Sequence, residues 1–162
     1  MDIKTLKNFA VYVDGVRYGG SVTEGEPPKI VMKTIEYSAG GMLGVVDVST
    51  DTVEKMEFNI TVAEYRAELM ALINKSDAAL TFRGAAGPEN TPVVIDTRGL
   101  IRELDLGAMK LAEAGEIKIG CVADYFKLTI GGKELIEIDV ANMVFRSGGV
   151  DHAAGLKAAL GY

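Results

Sequence analysis

The sequence predicts a mainly β (α+β) fold: a single-domain β-sandwich or barrel of antiparallel strands, with one flanking α-helix and an extended inter-subunit hairpin loop. Three observations carry this reading. Apolar residues alternate with a period of two in long runs such as Ile117, Ile119, Cys121 and Ala123, then Phe126, Leu128 and Ile130. Short Asp-Gly and Gly-Gly pairs separate such runs, as hairpin turns require. A single stretch, after Thr61, has helical spacing instead.

The first element is a hairpin. Phe9, Val11 and Val13 alternate with Ala10 and Tyr12, and Val16 and Tyr18 resume the pattern after Asp14-Gly15. A two-residue type I′ turn needs positive φ at both central positions, which suits Asp-Gly. It sets Val13 opposite Val16 and Val11 opposite Tyr18, giving an apolar face across both strands. Gly25-Glu26-Pro27-Pro28 breaks the chain. A strand from Lys29 to Tyr37 follows, with mixed residues on both faces.

Residues 37 to 46 contain no charged side chain and include Gly40, Gly41 and Gly44. Glycine is costly to order and packs nothing, so this is a poor core strand. An apolar, flexible segment that is hard to bury locally points to a surface covered by a partner. The candidate inter-subunit contact is therefore Tyr37, Gly40, Gly41, Met42, Leu43, Val45 and Val46. A buried β-bulge region is the alternative.

Residues 52 to 60 read as a strand through Val53, Met56, Phe58 and Ile60. Thr61-Val62-Ala63-Glu64 has the form of a helix capping box. Val62, Tyr65, Leu69, Leu72 and Ile73 fall on one helical stripe, and Asn74 to Asp77 ends it. A short strand around Leu80 to Arg83 leads into a loop from Gly84 to Pro92. Long strands follow at Val93 to Leu104 and Glu116 to Ile130, with Leu106 to Ala114 between them read as an irregular loop in preference to a helical turn.

Parity locates a bend. Apolar positions are odd-numbered from Ile117 to Ala123 and even-numbered from Phe126 to Ile130, so a β-bulge or a sharp coil is expected at Asp124-Tyr125. Such a bend lets one strand serve two sheets. At Gly131-Gly132, a two-residue loop sets Phe126 against Glu137. A three-residue loop through Lys133 pairs Leu128 with Ile136, Phe126 with Ile138 and Lys127 with Glu137. The second register segregates apolar from charged pairs and is preferred. Asp151 is placed to cap a small-residue helix that Gly161 closes, making 151–162 a docking tail.

With 162 residues, 48% hydrophobic and 25% charged, the chain has the length and composition of one globular domain. No apolar run approaches the roughly 20 residues of a membrane span, so no membrane anchor is expected. The segment from Met1 to Asn8 lacks the apolar stretch of a secretory signal, so synthesis in a cytosol is expected. Net charge is −6 and the basic residues are scattered, which argues against a DNA-binding module but not against a conduit through which DNA passes without sticking.

No reactive constellation emerges. Cys121 is the lone cysteine and reads as a buried, inert thiol. His152 is the lone histidine and reads as solvated or capping. No serine has a histidine partner at recognisable spacing, and Gly-x-Ser-x-Gly is absent. The glycine pairs lack the lysine and strand–loop–helix context of a phosphate loop. No His, Cys, Asp and Glu spacing fits a metal. The expectation is a self-assembling structural protein with no catalytic residue, cofactor or metal.

Several stretches resemble one family. Tyr125-Phe126-Lys127-Leu128, the Gly131-Gly132-Lys133-Glu134-Leu135 turn, Glu137-Ile138-Asp139, Asn142-Met143 and Gly148-Gly149-Val150-Asp151 are similar to the C-terminal pattern of major tail tube proteins of P2-like contractile phages and R-type pyocins. Tyr37-Ser38-Ala39-Gly40-Gly41-Met42 resembles the family's Tyr-x-x-Gly-Gly-Met segment. Pro92-Val93-Val94, Arg98-Gly99-Leu100 and Glu103-Leu104-Asp105 resemble its central strands, and Asp14-Gly15 its first hairpin. The likeness runs in order along nearly the whole chain.

The resemblance implies homo-hexameric rings stacked into the hollow inner tube of a virion tail, assembled in the host cytoplasm. It implies contact with a tail sheath, a baseplate hub, a tape-measure protein and a tail terminator. DNA passes through the lumen without specific binding, and an acidic lumen is expected. A phage tube, an R-type pyocin tube and the tube of a related contractile injection system all fit. From another class, a monomeric ligand-binding β-barrel remains open. It predicts a closed apolar cavity and leaves the 37–46 segment unexplained.

Overall fold

The computed structural model describes residues 5–162; the first half of the segment read for a targeting signal, residues 1–4, lies outside them. Among the described residues the strands are β1 (Leu6–Val13), β2 (Val16–Arg17), β3 (Val22–Glu26), β4 (Met32–Tyr37), β5 (Val46–Val53) and β6 (Met56–Val62). Helix α1 (Ala67–Met70) precedes β7 (Ala78–Ala86), β8 (Thr91–Asp105), β9 (Ile117–Ile130), β10 (Lys133–Asp139), β11 (Val144–Ser147), β12 (Val150–Asp151) and α2 (Ala154–Ala159).

The main sheet runs β12-β11-β10-β9-β8-β7-β1-β2, with β6 branching from β9 and carrying β3. All its pairings are antiparallel. The branch follows from one extra residue. Gly99 of β8 pairs with Ala123 and Arg98 with Tyr125, so Asp124 has no opposite number. Before it, Ile117 to Ala123 pair with β6; after it, Tyr125 to Ile130 pair with β10. The buried residues change parity there, from Ile117, Ile119, Cys121 and Ala123 to Phe126. The Asp124 carbonyl, released from the ladder, accepts the Val140 amide at 3.0 Å.

Cross-strand rows show how the sheet sorts its faces. Val13, Leu80, Thr97, Phe126, Ile138 and Phe145 lie side by side on successive strands. The first five of them are buried. Thr97 keeps its hydroxyl satisfied by donating to the Leu80 carbonyl at 2.8 Å, as a buried polar group must. The neighbouring row, on the opposite face, reads Asp96, Lys127, Glu137, Arg146 and Asp151. Its charges alternate in sign strand by strand, which favours this register over any slip.

The first hairpin has the expected register, Val13 against Val16 and Tyr12 against Arg17. Asp14 and Gly15 have φ of 49° and 81°. Val16, however, is exposed rather than part of an apolar face.

The Gly131-Gly132 hairpin reaches the preferred pairing of Leu128 with Ile136, Lys127 with Glu137 and Phe126 with Ile138 by a different route. The loop has two residues, not three, since Ile130 pairs with Lys133. Leu135 is then skipped as a bulge, and its carbonyl accepts the Gly148 amide at 3.0 Å. With φ of 60° and 81°, the two glycines make the tight turn that other residue types resist.

The expected helix is corrected. Thr61 and Val62 end strand β6, paired with Lys118 and Ile117. Helix α1 has four residues and no side-chain cap. Glu64 does not close a capping box: its carboxylate accepts from the Ser21 hydroxyl at 3.2 Å and from Arg66 at 3.2 Å. Leu69 is buried, but Tyr65 and Ile73 are exposed. Pairing with β9 holds the first expected turn of helix in the sheet.

Other bounds also move. The strand expected from Lys29 begins at Met32, with one further bond beyond it, from the Glu54 amide to the Val31 carbonyl at 2.8 Å. The strand expected over 52–60 is divided between the end of β5 and β6. The loop expected from Gly84 to Pro92 shrinks to a turn at Gly87–Asn90, because Gly84, Ala85 and Ala86 pair with Val93, Pro92 and Thr91. At the C-terminus, Asp151 belongs to β12 and its carboxylate accepts the Ala153 amide at 3.0 Å, one turn ahead of α2.

Candidate assembly surface

Strands β4 and β5 form a sheet of their own, paired with each other and with no other strand. The register aligns Ile35 with Val48 and Tyr37 with Val46, placing four apolar side chains on one face of the ribbon. Thr34 with Ser49 and Glu36 with Asp47 make the other face polar. All four apolar residues are exposed. A two-stranded ribbon is marginal in water by itself, and this apolar face has no cover among the described residues.

The expected contact residues gather at the ribbon's end. Tyr37 and Val46 are its last pair, and the turn beyond them is closed by the Met42 amide donating to the Ala39 carbonyl at 3.2 Å. Gly41 has φ of 87°, and no atom lies within 4 Å of a Cβ built on Gly40 or Gly41. Met42, Leu43 and Val45 project into solvent. The segment is therefore not a buried bulge, and that alternative is excluded.

The other residues singled out lie elsewhere. Asp124 and Tyr125 sit at the branch in β9, and Asp14, Gly15, Gly131 and Gly132 form hairpin tips of the main sheet. They shape the subunit and do not join the ribbon. Tyr125 is held by donating to the Glu137 carboxylate at 3.0 Å while Arg98 stacks over its ring at 5.0 Å. Burial, then the hydrogen bond and charge of Glu137, push its hydroxyl up to about 12.

Sequence reasoning missed two parts of the exposed apolar surface. Ile35 and Val48 were hidden because β4 read as a mixed strand; the signal was Ile35-x-Tyr37 mirrored by Val46-x-Val48 across a glycine turn. The loop between β8 and β9 carries Leu106, Met109 and Leu111, the last two 88% and 98% exposed. A shallow apolar cleft lies beside the ribbon root, lined by Val53, Ile138, Val144, Phe145 and Leu156.

Nothing in this geometry resembles a reaction centre. Cys121 is 2% exposed, and burial pushes its thiol up to about 12, far from a reactive thiolate. His152 packs edge-on against Phe145 and its Nε2 lies 2.7 Å from the Ser147 hydroxyl. This pair sits on an exposed hairpin with no carboxylate orienting the ring, unlike a nucleophile–base–acid arrangement. Among the described residues no three His, Cys, Asp or Glu side chains group as a metal site, and no helix is long and apolar enough to cross a membrane.

Comparison with known proteins agrees with an assembling subunit. The family model "Phage tail tube protein FII" matches residues 3–161. The tail tube protein of Escherichia phage P2 is 32% identical over 157 residues, covering 91% of both chains. The major tail tube protein of Serratia phage KSP20 is 29% identical over 152 residues, covering 90% of this chain and 88% of that one. Among solved structures, the fold is similar to chains of an extracellular contractile injection system. One is from the PVC sheath/tube terminator in the extended state, with a TM-score of 0.61, 13% identity and coverage of 76% and 94%. Another is from the PVC sheath-tube complex in the extended state, with a TM-score of 0.61, 15% identity and coverage of 76% and 88%. The chain belongs to the phage tail tube protein FII family and is a structural tail tube subunit, not an enzyme.

Proposed function

We propose that copies of this chain close into hexameric rings and stack into the inner tube of a contractile phage tail. DNA passes through the lumen, and the tube is driven through the bacterial envelope when the surrounding sheath contracts. The observation that carries this reading is the β4–β5 ribbon, an amphipathic element whose apolar face has no cover within its own subunit. The candidate contact is the ribbon end, Tyr37, Gly40, Gly41, Met42, Leu43, Val45 and Val46. The open sheet edges support the reading: among the described residues, Leu6 to Ala10 of β1 have a strand partner on one side only. Unpaired edges are templates for another chain, and closing them into a ring removes them.

The sheath and tail terminator are its partners along the tube and at its end, with a baseplate hub and tape-measure protein during assembly in the host cytoplasm. The net charge of −6 and the sign-alternating row from Asp96 to Asp151 offer DNA phosphates no continuous basic surface. The whole chain acts as one tube domain, with 151–162 docking against its own sheet. Electron microscopy of the purified chain tests the proposal. Stacked six-membered rings are expected; a chain that stays monomeric at high concentration and binds a small apolar ligand overturns it.

A further inference from the structure

The ribbon ends in a like-charge pair. Glu36 and Asp47 stand directly opposite each other on the polar face, next to the uncharged tip. Like charges in that position destabilise a strand pair, and neither has an ion-pair partner among the described residues. A surface that completes this end must therefore offer apolar contact beside a cation.

The β8–β9 loop has that chemistry. Lys110 lies between Met109 and Leu111, among the most exposed apolar side chains of the described residues. Its one ion pair, with Glu113, is loose at 3.8 Å, and both side chains are 64% exposed. The loop cannot meet its own ribbon, since both stay exposed. The ribbon root adjoins the start of β6 at Met56, opposite Ala123, whereas the loop ends at Ile117, opposite Val62. The two lie at opposite ends of the shared ladder, about 20 Å apart at ~3.3 Å per residue.

Two different complementary surfaces at opposite ends of one molecule make a head-to-tail contact, which builds an open stack unless its rotation closes a ring. The C-terminal patch at Leu160 and Tyr162, near Lys157, has similar chemistry. Yet Leu156 of that same helix lines the cleft at the ribbon's own root, so a contact there runs side by side.

We propose that the ribbon tip of each subunit docks on the β8–β9 loop of a copy in the adjoining ring, with Lys110 seated against Glu36 and Asp47. This rests on the stacked-ring reading above and assigns the axial contact within it.

Two experiments on the full-length chain test it. First, Leu43→Cys and Leu111→Cys proteins are assembled separately and as a mixture, then oxidised; buried Cys121 stays out of the reaction. A disulfide-linked dimer is expected in the mixture and not from either protein alone. Tubes with no such dimer, or with Leu43→Cys coupling instead to Leu160→Cys, overturn the inference and leave the tube reading standing. Second, Lys110→Glu is expected to slow tube elongation by at least about tenfold while separate rings still form. Combining it with Glu36→Lys and Asp47→Lys restores growth. All three positions are exposed, so circular dichroism and thermal melting stay unchanged. Normal elongation of Lys110→Glu, or no rescue by the triple variant, overturns the inference. Wild-type protein that forms neither rings nor tubes overturns both readings.

Discussion

The Val122 carbonyl oxygen occupies the space that a side chain at position 99 needs: a Cβ built on Gly99 falls 1.9 Å from it and 2.8 Å from the Ala123 Cα. The two strands approach this closely at the place where Asp124 leaves the ladder. Gly99 thus permits the branch that lets β9 join β6 first and β10 afterwards.

Replacing Gly99 with alanine therefore forces backbone apart. Destabilisation of at least about 1–3 kcal/mol is expected, the usual cost of overfilling a packed site. Urea unfolding of the unassembled subunit measures it, and Gly40→Ala serves as the control, because nothing lies within 4 Å of its Cβ.

The ribbon tip responds in the opposite way. Met42→Asp, or Gly41→Asp, leaves the core untouched and places a charge in the proposed contact. The expected product is a folded subunit that gives at most separate rings and no stacked tubes in electron micrographs. Normal tubes from either variant mean that the contact lies elsewhere. Gly41→Asp also introduces strain, since φ there is 87°, so Met42→Asp is the cleaner probe.

Asp14 ties the first hairpin to the start of β7. Its amide donates to the Ala79 carbonyl at 2.7 Å, and its carboxylate accepts from the Ala79 amide at 3.0 Å and from Lys75 at 2.6 Å. Partial burial opposes its charge, but the Lys75 and Ala79 hydrogen bonds and the Lys75 charge outweigh this and hold the carboxyl below its ordinary value of 3.8. A lowered carboxyl stabilises the fold above the unfolded value and loses that contribution as pH falls through the folded one. Asp14→Ala removes the two carboxylate bonds, keeps the main-chain one, and strains a position with φ of 49°, whereas Asn tolerates that conformation. Thermal melts should rank wild type above Asp14→Asn and both above Asp14→Ala, with the gap between wild type and Asp14→Asn closing at acid pH.

Alkaline pH acts through Cys121 and Tyr125. Burial pushes the thiol from 9.0 to about 12, and burial with Glu137 pushes the phenol from 10.0 to about 12. The unfolded chain ionises first, so raising the pH from 9 towards 12 favours unfolding. The thiol contributes a slope of at most about 1.4 kcal/mol per pH unit in that window. Cys121→Ala should flatten the dependence of the urea midpoint on pH over this range. Thiol reagents at about pH 8 should label the wild type only after unfolding.

Much of the sheet was legible because side-chain parity is a strict record of facing. The switch from Ala123 to Phe126 marked the extra residue, and matching charge against charge fixed Lys127 opposite Glu137. Parity did not distinguish a three-residue turn from two glycines plus a bulge at Leu135, since both give the same pairing beyond it. The helix failed for a non-local reason. The capping pattern at Thr61 is a property of four neighbours, whereas Ile117 and Lys118, which hold Val62 and Thr61 in a strand, lie far along the chain. The ribbon tip was legible through its lack of charge. The loop at Met109 and Leu111 was not, because the alternation of apolar with charged residues there looks the same whether a partner covers it or not.

Among the described residues the ribbon joins no strand but its own mate, so in the proposed stack each added subunit brings the same unsatisfied element that it has just helped to cover in its predecessor. Growth by such units has no internal stopping point. Length must then be imposed from outside, and the last ring needs a differently built molecule to cover what it leaves bare.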